Sequence, residues 1–254
     1  AHSCGPWRKC CHMKAASFDY FAVSSLEEAL SLLARHGEEA RPLAGGQSLV
    51  PMMALRLARP AALIDLNPVA ALSGIELAKD RLRIGAMTRQ AELLASPLAL
   101  RHAPLLAQAL AHVGHPPTRC RGTIGGSLAH ADPSAELPVA MVALDARLTL
   151  RSSSGHRSLP AAEFFKSAFE TTLAPGELLT EIQVPLAAGA SAFHEISPRR
   201  GDFAVLAAAS RLDLDEEGRC RSCALVLGGV APKPLRCTEV ERYIVGRRVE
   251  ETTI

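Results

Sequence analysis

Aromatic side chains are scarce in this 254-residue sequence, at 4% of the total, so the interior cannot be built around a few large rings. Ala and Leu recur throughout the 48% hydrophobic fraction, which implies many small aliphatic contacts instead. An excess of one charge is also missing, because 28 Lys and Arg oppose 26 Asp and Glu for a formal charge of +2. Without a dense basic face, duplex nucleic acid is not an expected partner. Long hydrophobic runs are absent too. The longest, 203–209 and 225–231, fall far short of the ~18 to 20 residues that cross a bilayer, so no membrane span is expected. Gly and Pro, at 18 and 17 residues, stay near ordinary usage and exclude a collagen-like or low-complexity chain.

Three of the seven Cys lie in residues 1–12, beside Trp7, Arg8 and Lys9. That segment has no apolar centre of the kind a signal peptide needs, and it reads as a tag or upstream scar ahead of Met13 as the native start. Cys120, Cys220, Cys223 and Cys237 are too few and too scattered for a disulfide framework, so a cytoplasmic location is expected. Cys220-Arg221-Ser222-Cys223 spells C-x-x-C, but a structural metal wants four ligands. On a regular strand, positions three apart face opposite sides, so no metal site is expected.

The periodicities describe an α+β chain. An amphipathic helix runs through Leu26, Ala29, Leu30, Leu32 and Leu33, opened by Ser24 or Ser25 and closed by Gly37. A strand over 41–44, the Gly45-Gly46 turn, a helix over 49–57 and a strand over 62–66 complete an α/β unit. A hairpin follows around Lys79-Asp80, then helices over 89–94 and 104–113, the latter stopped by Gly114 and Pro116-Pro117. A helical segment after Asp132-Pro133 and a strand over 146–150 come next. Small residues near Ala187 to Ala190 suggest a boundary at 188, with subdomains of about 13–68 and 69–188 before it. Beyond lie strands over 193–196, 205–214 and 224–230, and a helix over 238–243, which suggest an antiparallel sheet.

Two glycine segments carry the chemistry: Ala44-Gly45-Gly46-Gln47-Ser48-Leu49 and Thr123-Ile124-Gly125-Gly126-Ser127-Leu128. Paired glycines at a break in regular structure let backbone N–H groups converge on one anion. Two such nests would match the two charges of a diphosphate, although either pair can also be a plain turn. Neither is a G-x-G-x-x-G fingerprint, and neither carries a P-loop Lys. His112, His115 and His130 surround the second segment. No Ser/His/Asp arrangement is recognisable, and no catalytic residue is assigned.

The strings 44–49 (AGGQSL) and 121–138 (RGTIGGSLAHADPSAELP) resemble the two FAD-binding signatures of the flavoprotein subunit of molybdenum hydroxylases, the family of carbon monoxide dehydrogenase medium chains and the xanthine dehydrogenase flavin domain. Asp65-Leu66, Ile84-Gly85-Ala86, 176–185 (GELLTEIQVP) and 199–204 (RRGDFA) support it in the family's order. The resemblance implies a two-part FAD-binding α/β domain of the VAO/PCMH type over 13–188. A C-terminal antiparallel sheet domain with a helix would follow over 189–254, shorter than is usual in the family. It also implies that Ala44, Gly45, Gly46, Gln47, Ser48 and Leu49, with Thr123, Ile124, Gly125, Gly126 and Ser127, wrap the FAD pyrophosphate. Asp132 would lie near the ribityl or ribose hydroxyls, and Leu179 against the flavin. Asp132 followed by Pro133 equally suits a helix N-cap. The xanthine-oxidising branch has a Lys near the flavin where this chain reads Glu195, which leaves Arg199 and Arg200 as candidate cations.

The family's large molybdenum–pterin subunit and small subunit with two [2Fe–2S] clusters become the expected partners. NAD, a quinone or oxygen becomes the expected acceptor. A self-contained flavin reductase similar to UDP-N-acetylenolpyruvoylglucosamine reductase and a flavin-free scaffold are the alternatives, and flavin absorbance separates the last from the others.

Overall fold

A strand–helix repeat opens the described residues, which are 14–186 and 188–249 of a computed structural model. It comprises β1 (Asp19–Ala22), α1 (Leu26–His36), β2 (Ala40–Leu43), α2 (Leu49–Ala54) and β3 (Ala62–Asp65). The three strands form a parallel sheet in the order β1-β3-β2. At the start of α1 the Ser25 hydroxyl accepts from the Glu28 N–H at 3.1 Å while the Glu28 carboxylate accepts from the Ser24 N–H at 2.8 Å. This reciprocal pair satisfies two otherwise orphaned donors. Leu26, Ala29, Leu30 and Leu33 form the buried stripe, and Gly37 with φ of +54° ends the helix. β1 is absent from the sequence reading; it is four residues long, and most of it is exposed.

The next stretch builds the second sheet and a helical layer. It contains β4 (Ile75–Ala78), β5 (Arg81–Gly85), α3 (Gln90–Ala95), α4 (Pro97–His102), α5 (Pro104–His112), α6 (Pro116–Arg121), α7 (Ile124–His130) and α8 (Glu136–Ala143). β6 (Arg147–Ser152), β7 (Gly155–Pro160), α9 (Ala161–Phe164), β8 (Phe165–Ser167), β9 (Glu170–Thr171) and β10 (Leu178–Pro185) follow. Five strands pair antiparallel in the order β4-β5-β10-β6-β7, with the small β8–β9 pair beside them. Pro116-Pro117 opens α6 rather than merely ending α5, because the first helical turn has no use for the missing N–H.

The third sheet, β11 (Ala190–Ile196), β12 (Leu206–Leu214), β13 (Cys220–Gly228) and β14 (Leu235–Arg236), is antiparallel and is followed by α10 (Thr238–Ile244). Phe193, Ala207, Ala209 and Val226 project from it into the same buried cluster as Leu105, Leu110, Leu137 and Met141 of α5 and α8. Every residue of α8 is buried, so this helix is the shared spine of the second and third layers. A smaller cluster, with Leu30, Ile64, Leu72 and Leu178, holds α1 onto the parallel sheet.

Candidate functional site

The first glycine segment leaves the carboxyl end of β2, and Asp65 to Asn67 leaves the carboxyl end of the central strand β3. Ligands of open α/β sheets bind in the crevice at these ends. Gly46 has φ of +72°, a backbone state that side chains disfavour, so the chain can curl tightly into α2. Among the described residues, the N–H groups of Gly45, Gly46, Gln47 and Ser48 donate to no protein acceptor. Four unspent amides on one curl are the donor set that an anion-binding nest would need. The Gln47 side chain folds back onto the Gly45 carbonyl at 3.2 Å, and Leu49 starts α2.

The second segment differs from the sequence reading in a way that matters chemically. Gly125 and Gly126 lie in the first turn of α7, capped by Thr123, whose hydroxyl accepts from the Gly126 N–H at 3.0 Å. Ile124 donates to the Thr88 carbonyl at 3.1 Å, Gly125 to the Ala86 carbonyl at 2.8 Å, and Ser127 to the Thr123 carbonyl at 3.2 Å. These amides are already committed, so the expectation of two equivalent nests is corrected to one nest and one close-packed wall. The glycines serve approach: a Cβ on Gly125 would stand 2.7 Å from the Ala86 carbonyl oxygen, which no folded protein tolerates.

The two segments meet. A Cβ on Gly45 would lie 2.8 Å from the Gly122 Cα, and one on Gly126 would lie 3.4 Å from the Ala44 methyl. Residues about 80 apart in sequence thus form opposite walls of one cradle. Backbone donors on one wall and bare Cα atoms on both suit the pyrophosphate of a dinucleotide.

A polar network that the sequence reading missed underlies this cradle. The Asn67 amide donates to the Ala44 carbonyl at 3.0 Å and also to Asp65, which in turn accepts from the Tyr20 hydroxyl. Arg89 donates through Nη2 to the Asn67 Oδ1 at 2.6 Å and through Nη1 to the Arg121 carbonyl. Burial pushes the Asp65 carboxyl up, but hydrogen bonds from Tyr20 and Asn67 and the Arg121 charge outweigh it and hold the group below its ordinary range. Burial, then the Arg121 charge, lowers the pKa of Arg89. The sequence signal for this network is the pair of polar residues Asp65 and Asn67 at a strand end.

Of the other expected residues, Asp132 does not cap a helix. Its Oδ1 accepts from the Ser134 N–H at 2.9 Å in a local turn, and α8 starts only after Ala135. The second oxygen stays uncommitted among the described residues, and the approach to Asp132 passes through Ala131 at φ of +51°, a costly state for a non-glycine. Leu179 is buried in the large core cluster, next to a bulge at Thr180 whose carbonyl accepts from Ala86, the residue that anchors Gly125. Arg199 and Arg200 are exposed at the β11–β12 connection. In the same connection a Cβ on Gly201 would fall 2.8 Å from Nδ1 of His115, so this loop rests on the start of α6. His130 packs against Phe169 at 5.1 Å between ring centroids, and burial lowers its pKa.

Two further features correct local expectations. Across β12 and β13, Asp213 faces Ser222 while Leu214 faces Cys220, so Arg221 is an extra residue in a bulge. The bulge brings Cys220 and Cys223 to the same face, toward α10, where the Cys223 thiol reaches the Glu241 carbonyl at 3.5 Å. Burial pushes the Cys223 thiol up to about 11, which leaves it protonated and inert at neutral pH. Glu195 does not open to solvent: its side chain is 2% exposed, 3.9 Å from Nδ1 of His112, and its Oε2 has no hydrogen-bond partner among the described residues. Its charge is felt by Glu136 at the head of α8. Burial, with help from the Glu195 and Asp132 charges, pushes Glu136 up to about 7.

With this geometry in place, comparison with known proteins gives a consistent answer. Residues 16–187 match the FAD binding domain in molybdopterin dehydrogenase, and 191–254 match the CO dehydrogenase flavoprotein C-terminal domain. The 6-hydroxypseudooxynicotine dehydrogenase complex subunit alpha of Paenarthrobacter nicotinovorans is 45% identical over 92% of this chain and 79% of its own length. The carbon monoxide dehydrogenase medium chain of Afipia carboxidovorans is 36% identical over 95% and 84%. A solved carbon monoxide dehydrogenase from Hydrogenophaga pseudoflava superposes with a TM-score of 0.91 at 36% identity, over 94% of this chain and 84% of that one. The glycine cradle and these relatives agree: the chain belongs to the FAD-binding flavoprotein subunits of the molybdenum hydroxylases.

Proposed function

We propose that this chain is the electron-transfer subunit of a heterotrimeric dehydrogenase in the cytoplasm. A large molybdenum–pterin subunit oxidises the substrate, and a small subunit with two [2Fe–2S] clusters passes the electrons to this chain. They leave here to NAD, a quinone or oxygen. Bound FAD supplies the conversion between one-electron arrivals and two-electron delivery. The chain's own residues bind and orient it. The Gly45 to Ser48 amides hold the pyrophosphate, Thr123 to Ser127 with the α7 glycines form the wall that closes on it, and Asp132 and Leu179 contact the remainder. The organic substrate is met by the partner.

The observation that carries this reading is the meeting of the two glycine segments in a cradle with unspent amides. Titration of the purified chain with FAD, followed by flavin fluorescence, tests its first half; no binding sinks it. Co-expression with the neighbouring subunits and anaerobic addition of substrate tests the second, since bleaching of the flavin band is expected only when the [2Fe–2S] subunit is present.

A further inference from the structure

No backbone hydrogen bond among the described residues joins 44–49 to 121–127, although these segments must keep a fixed separation to grip one ligand. Side chains supply the join. The Arg89 fork spans it, with one arm on the Arg121 carbonyl and the other on Asn67, whose amide holds the Ala44 carbonyl at 3.0 Å. We propose that Arg89 is a positioning residue for the cofactor: acting through Asn67, it locks the first glycine turn to the end of α6 and so sets the width of the FAD cradle. This inference rests on the FAD reading above and adds a residue to it.

Three features support this assignment over a general stabilising role. Arg89 is half-buried, and its guanidinium spends both arms on Asn67 and the Arg121 carbonyl, beside the two glycine segments. It sits beside Arg121, a like charge that a stabilising site would avoid, with Asp65 as the compensating anion. Its two contacts point in different directions from one planar group, a task for guanidinium that a lysine ammonium cannot perform. Loss of the fork lets the Gly45 turn drift from Gly122 while the sheets stay intact.

The test compares wild type, Arg89→Ala, Arg89→Lys and Asn67→Ala for FAD affinity by fluorescence titration and for apo-protein thermal melting. Removing charged hydrogen bonds of this kind should weaken FAD binding by about tenfold or more in Arg89→Ala. Lys should fail to restore it, and millimolar methylguanidinium should partly restore the Ala variant. The Arg89→Ala/Asn67→Ala double variant should lose little beyond either single change, because both cut the same link. Wild-type binding with Arg89→Lys within about threefold of it would overturn the inference and leave the FAD reading standing. A loss of affinity matched by an equal loss of apo stability in both Arg89 variants would also overturn it. Failure of the wild type to bind FAD would instead sink the functional reading. Should Arg89→Ala not fold, the Lys variant carries the comparison.

Discussion

Glu136 gives the most quantitative prediction, because its cost can be worked from its surroundings. The side chain heads α8, is 8% exposed, and faces Glu195 from β11, Asp132 from the preceding turn and Arg119 from α6, with His112 of α5 beyond Glu195. Moving a carboxyl from 4.5 to about 7 makes its ionisation about 3 kcal/mol harder inside the fold than in the unfolded chain. Since the folded state keeps the proton longer, stability is fully present below pH 4.5 and is lost as pH climbs toward 7. The neutral isostere Glu136→Gln does not titrate, so the difference between the two proteins reports the ionisation of Glu136 together with its coupling to Glu195 and Asp132. Urea unfolding at constant salt, in half-unit steps from pH 4.5 to 8, should show wild type losing about 3 kcal/mol relative to Glu136→Gln, with no further change above neutrality. A flat difference across that range would refute the assignment of a neutral, buried acid.

Gly45→Ala should abolish retention of FAD, because its methyl must displace the Gly122 Cα now 2.8 Å from that position; equilibrium dialysis checks it. Gly46→Val should do the same through its φ of +72°, which a β-branched side chain resists, and flavin absorbance after gel filtration is the readout. Cys220→Ser should leave flavin content unchanged in that assay. Lys79 turns the β4–β5 hairpin at φ of +52°, so Lys79→Gly should raise stability by about 1 kcal/mol in a denaturant melt.

Some of this architecture is written locally and some is not. α1 is legible because its apolar period, Ser25 cap and terminal Gly37 all agree. The glycine segments are legible because only glycine permits their approach. β1 is not, since four mostly exposed residues carry no alternation strong enough to read. Pro116-Pro117 is ambiguous in one dimension: proline ends one helix and begins the next with equal ease. The same limit hid the state of the second glycine pair, where Ala86 and Thr88, on another loop, consume the amides that look available in sequence. Arg89 and Asn67 are 22 residues apart and become partners only when the parallel sheet and the helical layer dock. The Cys220–Cys223 arrangement depends on a bulge set by the partner strand β12, which spacing cannot disclose.

The apolar cluster that α8 shares with β11, β12 and β13 pays no attention to where the two family matches part company at 187–191. A protease nick in that connector should therefore yield two fragments that still co-migrate, and a gene divided there should complement in trans. Either fragment made alone would expose its half of that apolar cluster to water and should aggregate.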